Sequence, residues 1–252
     1  MSENYRGILP VDISLYKKEV SGQPDDIYIL TSIDIASGIG ILKEDEFFVE
    51  VETIAYFTTR VALLDILVTG GRPVLIAFST SLSNSYYEDV KTGILKALDE
   101  WSIEIKNQIT GSTEDNFKSK QTSVSIMATG LSTEDRLNWL QVNKGDNLFI
   151  VGKPVVGAEV LRNSDKIINP EVFQNLVEDE STKNLMPIGS GGALMRIKAI
   201  MDKTGLEYKS FNNQLENKSA GPATAILLVS NREIDYYQNE LKIPITQLGK
   251  LI

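Results

Sequence analysis

Carboxylates, hydroxyls and glycines recur in short runs along this chain. Asp34 stands inside the apolar stretch 26–35 (DIYILTSIDI), directly ahead of the turn Ser37-Gly38-Ile39-Gly40. A carboxylate in an apolar strand needs a partner, because burying it alone costs several kcal/mol. Asp65 lies between Leu64 and Ile66 in a stretch with apolar residues at helical spacing, just before Gly70-Gly71-Arg72-Pro73. The run Thr110-Gly111-Ser112-Thr113-Glu114-Asp115-Asn116 joins a glycine, three hydroxyls, two carboxylates and an amide. Hydroxyls and glycine amides suit phosphate oxygens, and carboxylates suit magnesium. Gly189-Ser190-Gly191-Gly192 precedes a helical stretch, and a glycine turn at a helix N-terminus is a natural anion seat. Lys218-Ser219-Ala220-Gly221-Pro222-Ala223-Thr224 is a basic, hydroxyl-bearing loop before an apolar strand.

Each run also has a plainer reading. Asp34 serves equally as a turn aspartate, and Asp65 as a residue on a solvated helix face. The 110–116 run reads also as an N-cap with a solvated loop, and the two glycine-bearing loops as backbone geometry alone. There is no P-loop and no GxGxxG after a strand. Taken together, the runs point to carboxylates from separate segments converging on a magnesium–phosphate site.

Composition narrows the chemistry further. The chain has no cysteine and no histidine. Disulfides, thiolate nucleophiles, serine–histidine triads and most zinc sites are therefore excluded. Catalysis must rest on carboxylates, lysine, arginine, hydroxyls or backbone amides, and an oxygen-only metal site suits magnesium, manganese or calcium. A net charge of −9 over 252 residues argues against a nucleic-acid partner. No apolar run reaches the ~20 residues of a membrane span, and the first residues lack the apolar core of a secretory signal. The expectation is a cytoplasmic protein with no membrane partner.

The elements that must position these residues read as two halves, 1–135 and 136–252. In the first, 26–35 is a strand, 46–51 a short strand and 57–68 a helix. A buried strand at 73–80, an amphipathic helix at 86–101 and a half-buried strand at 122–129 follow. In the second, 147–151 is a strand and helices cover 155–163, 171–179 and 193–204. A strand at 223–230 and a helix at 234–241 close the chain. The pattern predicts an α+β or mixed α/β pair of domains.

In order and spacing, Asp34…Asp65…Gly70-Gly71-Arg72-Pro73…Gly111-Ser112-Thr113-Glu114…Gly145-Asp146…Gly189-Ser190-Gly191-Gly192 resembles the aminoimidazole ribonucleotide synthetase superfamily. That group includes thiamine-monophosphate kinase, selenophosphate synthetase and a hydrogenase-maturation ATPase. Within it, the chain is most similar to the α-ribazole kinases of cobamide salvage. The specific runs are 34–40, Tyr56-Phe57-Thr58-Thr59-Arg60-Val61-Ala62-Leu63, 110–116, Gln121-Thr122, Val156-Gly157-Ala158-Glu159-Val160 and 218–224.

The resemblance implies an N-terminal α/β domain whose strands form a barrel across a homodimer interface, followed by an α+β domain. It implies ATP and Mg2+ bound without a P-loop, and phosphorylation of a small nucleoside, the 5′-hydroxyl of α-ribazole. The alternatives are a thiamine-monophosphate-kinase-like phosphotransferase and a non-catalytic nucleotide binder. Asp34 and Asp65 match magnesium-facing aspartates, and Asp12 roughly matches an acidic N-terminal segment. Where relatives carry Gly-Gly-acid-Thr, this chain has Ser112 at the acidic position, which shifts the metal role to Glu114 or Asp115. Asp34, Asp65 and Glu114 are thus the expected catalytic residues. Gly111, Ser112, Thr113, Asn116, Gly189, Ser190 and Gly191 are the expected nucleotide contacts.

Overall fold

The computed structural model describes residues 9–12, 27–137, 140–211 and 213–252. The chain divides into two compact units, Met1–Leu137 and Asn138–Ile252.

The first unit is built on strands β1 (Leu9–Asp12), β2 (Ile27–Ser37), β3 (Arg72–Thr80), β4 (Ile109–Ser112) and β5 (Ser123–Thr133). They lie in the order β1-β2-β5-β3-β4. All neighbours are antiparallel except β3 and β4, which run parallel. The long β2–β5 ladder runs from Ile27 opposite Thr133 to Ser37 opposite Ser123. Helices α1 (Val51–Val68) and α2 (Tyr87–Glu100) supply the apolar partner. Ile54, Leu63 and Ile66 of α1 and Val90, Ile94 and Leu98 of α2 join Leu30, Ile76, Phe78, Val124 and Ile126 of the sheet in one core. Along β5 burial alternates, as expected of a sheet with one face packed on helices.

Two sequence expectations change here. Residues 46–51 form no strand: Phe48 makes an isolated bridge to Gly40, and Val51 already begins α1. Val51, Ile54 and Ala55 are buried, so the inward-facing stripe of the helix extends six residues before Phe57, and packing overrides β-branched propensity. The 110–112 segment, read as a loop, is strand β4, opposite Ala77, Phe78 and Ser79.

The second unit contains β6 (Asn147–Val151), β7 (Thr182–Pro187), β8 (Tyr208–Ser210), β9 (Ile226–Ser230) and β10 (Ile245–Leu251), in the antiparallel order β7-β9-β6-β10-β8. Its helices are α3 (Glu159–Arg162), α4 (Pro170–Glu178), α5 (Gly192–Thr204), α6 (Asn213–Glu216) and α7 (Ile234–Glu240). The central strands β6 and β9 are buried along their whole length. The start of α4 is well specified: Pro170 opens it, and the Asn169 side chain accepts a bond from Val172 N at 3.0 Å. The helix expected over 155–163 shrinks to the single turn α3, because Gly157 takes a positive φ and breaks the helical path. No described helix is long and apolar enough to cross a membrane.

Candidate functional site

Period-two geometry puts Leu30, Ser32, Asp34 and Ala36 of β2 on the helix side of the first sheet. The helix brings Asp65 to the same place: Ser32 Oγ donates to Asp65 Oδ2 at 2.9 Å, and Asp65 is buried. Asp34 is half-buried beside it. Burial pushes its carboxyl up, a bond from the Ile35 backbone opposes that, and the Asp65 charge adds to it. The net result is a rise from 3.8 to about 6. Two carboxylates from separate elements thus share one niche, and the Asp65 charge disfavours ionisation of Asp34.

The donor set fits a hard divalent cation. Magnesium is commonly held by one or two carboxylates, with substrate phosphates and water completing its shell. Among the described residues no group of three or more acidic side chains converges. The structure therefore does not bring Glu114 or Asp115 to Asp34 and Asp65.

Both of those side chains instead organise their own loop. Glu114 Oε1 accepts from the amides of Asn116 and Phe117, at 2.7 and 3.1 Å. Asp115 accepts from Asn84 N and from Thr113 Oγ1, both at 2.8 Å. Sheet register explains the separation. Asp34, Ile126, Phe78 and Gly111 form one row across β2, β5, β3 and β4. Three strand spacings put Gly111 about 14 Å from Asp34. Gly111 serves packing: a Cβ there would overlap the Phe78 ring at 2.2 Å. Ser112 falls on the opposite, exposed face. Asp12 pairs with Tyr28, six residues or about 20 Å along β2 from Asp34.

The glycine turn belongs to the second unit. Gly189 O accepts from Gly192 N at 3.2 Å, Ser190 is exposed, and Gly191 is the residue before α5. Gly192 is fixed by close approach, since it has φ +68° and a Cβ would lie 2.5 Å from Glu216 O. In the 218–224 loop, buried Thr224 Oγ1 donates to the carbonyls of Val155 and Ala220 and accepts from Val155 N.

The 56–63 run has a structural use. Buried Arg60 lies 5.6 Å from the ring centres of Tyr56 and Phe57 and 6.0 Å from that of Trp101, and its Nε is 3.4 Å from Glu100 Oε2. It ties the middle of α1 to the end of α2. Two groups were given no role by the sequence reading. One is Ser32, which lies in the same apolar stretch as Asp34 and whose position two residues before it on the same strand face was the available signal. The other is Asp45, which accepts from Leu42 N, Thr122 N and Thr122 Oγ1 and so fixes the loop after Asp34 against the start of β5. Nothing in local sequence links it to a residue 77 positions away.

No family model matches the chain, and no curated protein sequence is significantly similar to it. Solved structures are similar in fold. Thiamine monophosphate kinase from Aquifex aeolicus is 15% identical with a TM-score of 0.61, over 95% of this chain and 92% of that one. HypE of E. coli, a hydrogenase maturation protein, is 14% identical with a TM-score of 0.62, over 88% and 79%. T. maritima PurL, solved with AMPPCP, is 16% identical with a TM-score of 0.59, over 89% of this chain but 40% of its own length. At these identities the likeness establishes architecture alone: the chain shares the mixed α/β fold of these solved structures.

Proposed function

We propose that the chain is an ATP- and magnesium-dependent kinase that phosphorylates the 5′-hydroxyl of α-ribazole. The observation that carries the catalytic part is the Asp34–Asp65 niche, where two carboxylates face each other and Ser32 fixes one of them. Support for the nucleotide comes from similar folds solved with ATP or AMPPCP, one of them also with TMP. Support for α-ribazole comes from the sequence runs at 34–40, 56–63, 110–116, 121–122, 156–160 and 218–224.

Asp34 and Asp65 would hold the cation. Bound there, magnesium would supply charge neutralisation for the transferring phosphoryl group. Ser32 orients Asp65 by its hydroxyl bond. Above about pH 6 Asp34 is ionised and able to bind. Within the first unit, Thr113 and Asn116 are the proposed polar contacts to the ligand; in the second unit, taken by itself, the turn Gly189-Ser190-Gly191 ahead of α5 is a candidate anion seat. Phosphoryl transfer has a loose transition state, so positioning does most of the work and a chain without histidine is not handicapped. The working form is a homodimer through the outer face of the first sheet.

The test is turnover. The full chain with magnesium ATP and α-ribazole should yield ADP and α-ribazole 5′-phosphate, read by mass spectrometry. Thiamine monophosphate in place of α-ribazole distinguishes the other kinase reading. ATP that binds and stays intact with every acceptor would replace the enzyme by a nucleotide sensor.

A further inference from the structure

Two phenylalanines stand in water on loops that are otherwise held tightly. Phe48 is 69% exposed and Phe117 is 80% exposed. Leaving such a ring in solvent forgoes about 2 kcal/mol of burial. Exposed rings are unremarkable on loose loops, but these loops are bonded throughout.

Phe48 belongs to the loop that leaves β2 three residues after Asp34. Its neighbours are fixed: Gly40 N donates to Phe47 O at 3.2 Å, Val49 N to Gly40 O at 3.1 Å, and Glu46 N to Gly38 O at 2.8 Å. Asp45 then bolts this loop to Thr122 through two bonds, of 2.8 and 2.7 Å. Phe117 follows the 110–116 run, and its own amide is one of the two held by Glu114. Glu114 N is bonded in turn to Leu82 O at 3.0 Å. The two loops are joined to each other, since Glu44 N donates to Lys120 O and Gln121 Nε2 to Glu44 O, at 3.4 and 2.8 Å. Side-chain carboxylates are therefore used to present two rings from one rim, next to the strand end that carries Asp34.

We infer that Phe48 and Phe117 are stacking residues for a planar heteroaromatic base. This rests on the kinase reading for the ligand's identity, and it adds the recognition element that reading lacks. Both loops lie at the end of the sheet toward which β2 runs from Asp34, so a nucleoside bound at that edge would meet them with its base. Phenylalanine offers a flat apolar face with little conformational entropy to lose, and every base has a π-face to meet it. Two sources fit this chemistry, the adenine of ATP and the base of the acceptor.

Calorimetric titration of the full chain distinguishes them. The ligands are α-ribazole, adenosine and magnesium ATP, with ribose and magnesium tripolyphosphate as counterparts lacking the base. The proteins are wild type, Phe48→Ala, Phe117→Ala, Phe117→Trp and Phe117→Leu, each checked for an unchanged melting temperature. Each alanine variant should bind a base-bearing ligand about tenfold more weakly. It should bind the base-free counterpart as wild type does, and Phe117→Trp should restore affinity where Phe117→Leu does not. A penalty on α-ribazole alone assigns the rings to the acceptor, and a penalty on adenosine and ATP assigns them to adenine. The inference is overturned if wild type binds none of the base-bearing ligands or if both alanine variants bind them undiminished. It is equally overturned if leucine restores affinity fully, or if the variants change only the oligomeric mass. Failure of the kinase reading looks different: base-dependent binding would persist with no phosphorylated product.

Discussion

Two carboxylates, one in each unit, meet opposite treatment. Asp34 in the first unit is driven upward by burial and by the Asp65 charge, to about 6. Asp179 in the second unit is also pushed up by burial, yet ends below its usual value. The Ser181 hydroxyl and amide, the Tyr237 hydroxyl and the Arg232 charge together outweigh the desolvation. Buried Tyr237 gives the second unit a closed hydroxyl network, 2.7 Å from Ser230 Oγ, 3.1 Å from Ser181 Oγ and 3.0 Å from Asp179 Oδ2. The first unit therefore carries a carboxylate, Asp34, whose ionisation costs stability, and the second carries one whose ionisation is stabilising. Unfavourable charge kept in a fold points to a ligand that relieves it, whereas satisfied charge points to structure alone.

The largest effect that would break this comparison is on catalysis. Asp65→Asn keeps the shape, can still accept from Ser32, and removes one charge. Turnover should fall at least about 100-fold, since the cation's charge stabilises the transferring phosphoryl. The melting temperature should hold or rise, because repulsion with Asp34 is gone. Single-turnover rates measured beside thermal unfolding check both. Unchanged turnover at saturating magnesium ATP would reduce Asp65 to an ordinary packing residue and undo the contrast.

The faces of the two sheets sharpen the contrast next. The central strands of the second sheet are buried throughout, while the outer face of the first exposes Ile33 at 63% and Ile35 at 60%, with Leu131 beside Ile29 in the ladder. Light scattering should give about twice the 27.9 kDa chain mass. Ile33→Asp, burying a charge in both copies at once, should give monomer at micromolar protein. A wild-type monomer would leave that apolar face without the proposed partner.

Legibility followed the same division. Asp34 and Asp65 stood out because each interrupts an apolar period, and the fold sets the two beside each other. The 110–116 run misled in part, since Gly111 is needed by the Phe78 ring and Glu114 and Asp115 are spent on their own turn. Composition shows which groups are available but not which backbone amides will claim them. Strands β7, β8 and β10 were invisible for another reason. Thr182-Lys183-Asn184 is too polar to read as a strand, β8 has three residues, and β10 breaks its alternation with a register shift between Gln247 and Gly249. The Asp45–Thr122 clasp depends on tertiary structure alone.

A smaller effect concerns pH. In the apo protein Asp34 releases its proton near pH 6 when folded and near 3.8 when unfolded. Below pH 3.8 both states are protonated and the buried carboxyl costs no charge. Between these values the folded state holds a proton the unfolded state has lost, so stability falls as pH rises. Above pH 6 the full cost remains, at most about 3 kcal/mol and less by whatever part of the carboxylate reaches water. Denaturant titrations from pH 4 to 7.5 should show this decline in wild type and its reduction in Asp34→Asn. Magnesium ATP should stabilise wild type at pH 7.5 and lose most of that effect in the variant. Parallel curves for the two proteins would remove Asp34 from the niche's electrostatics.

The smallest effect belongs to the satisfied network. Tyr237→Phe keeps the ring packed against Phe149, whose centre is 5.5 Å away, and removes only the hydroxyl. Ser181 Oγ still donates to Asp179 Oδ1 at 2.6 Å, and Ser230 Oγ still accepts from Arg232 N at 3.0 Å. Because the former partners keep other bonds, the cost should be that of ordinary buried hydrogen bonds, about 1–2 kcal/mol, and not that of an orphaned charge. The midpoint of denaturant unfolding reports it, and turnover should be unchanged. A loss beyond about 4 kcal/mol would mean that the hydroxyl is what makes the Asp179 charge tolerable, so that the second unit, like the first, holds a charge dependent on one partner. A loss of turnover at full stability would say more: that this network reaches the chemistry, and that satisfied charge in this fold is not a reliable sign of structure alone.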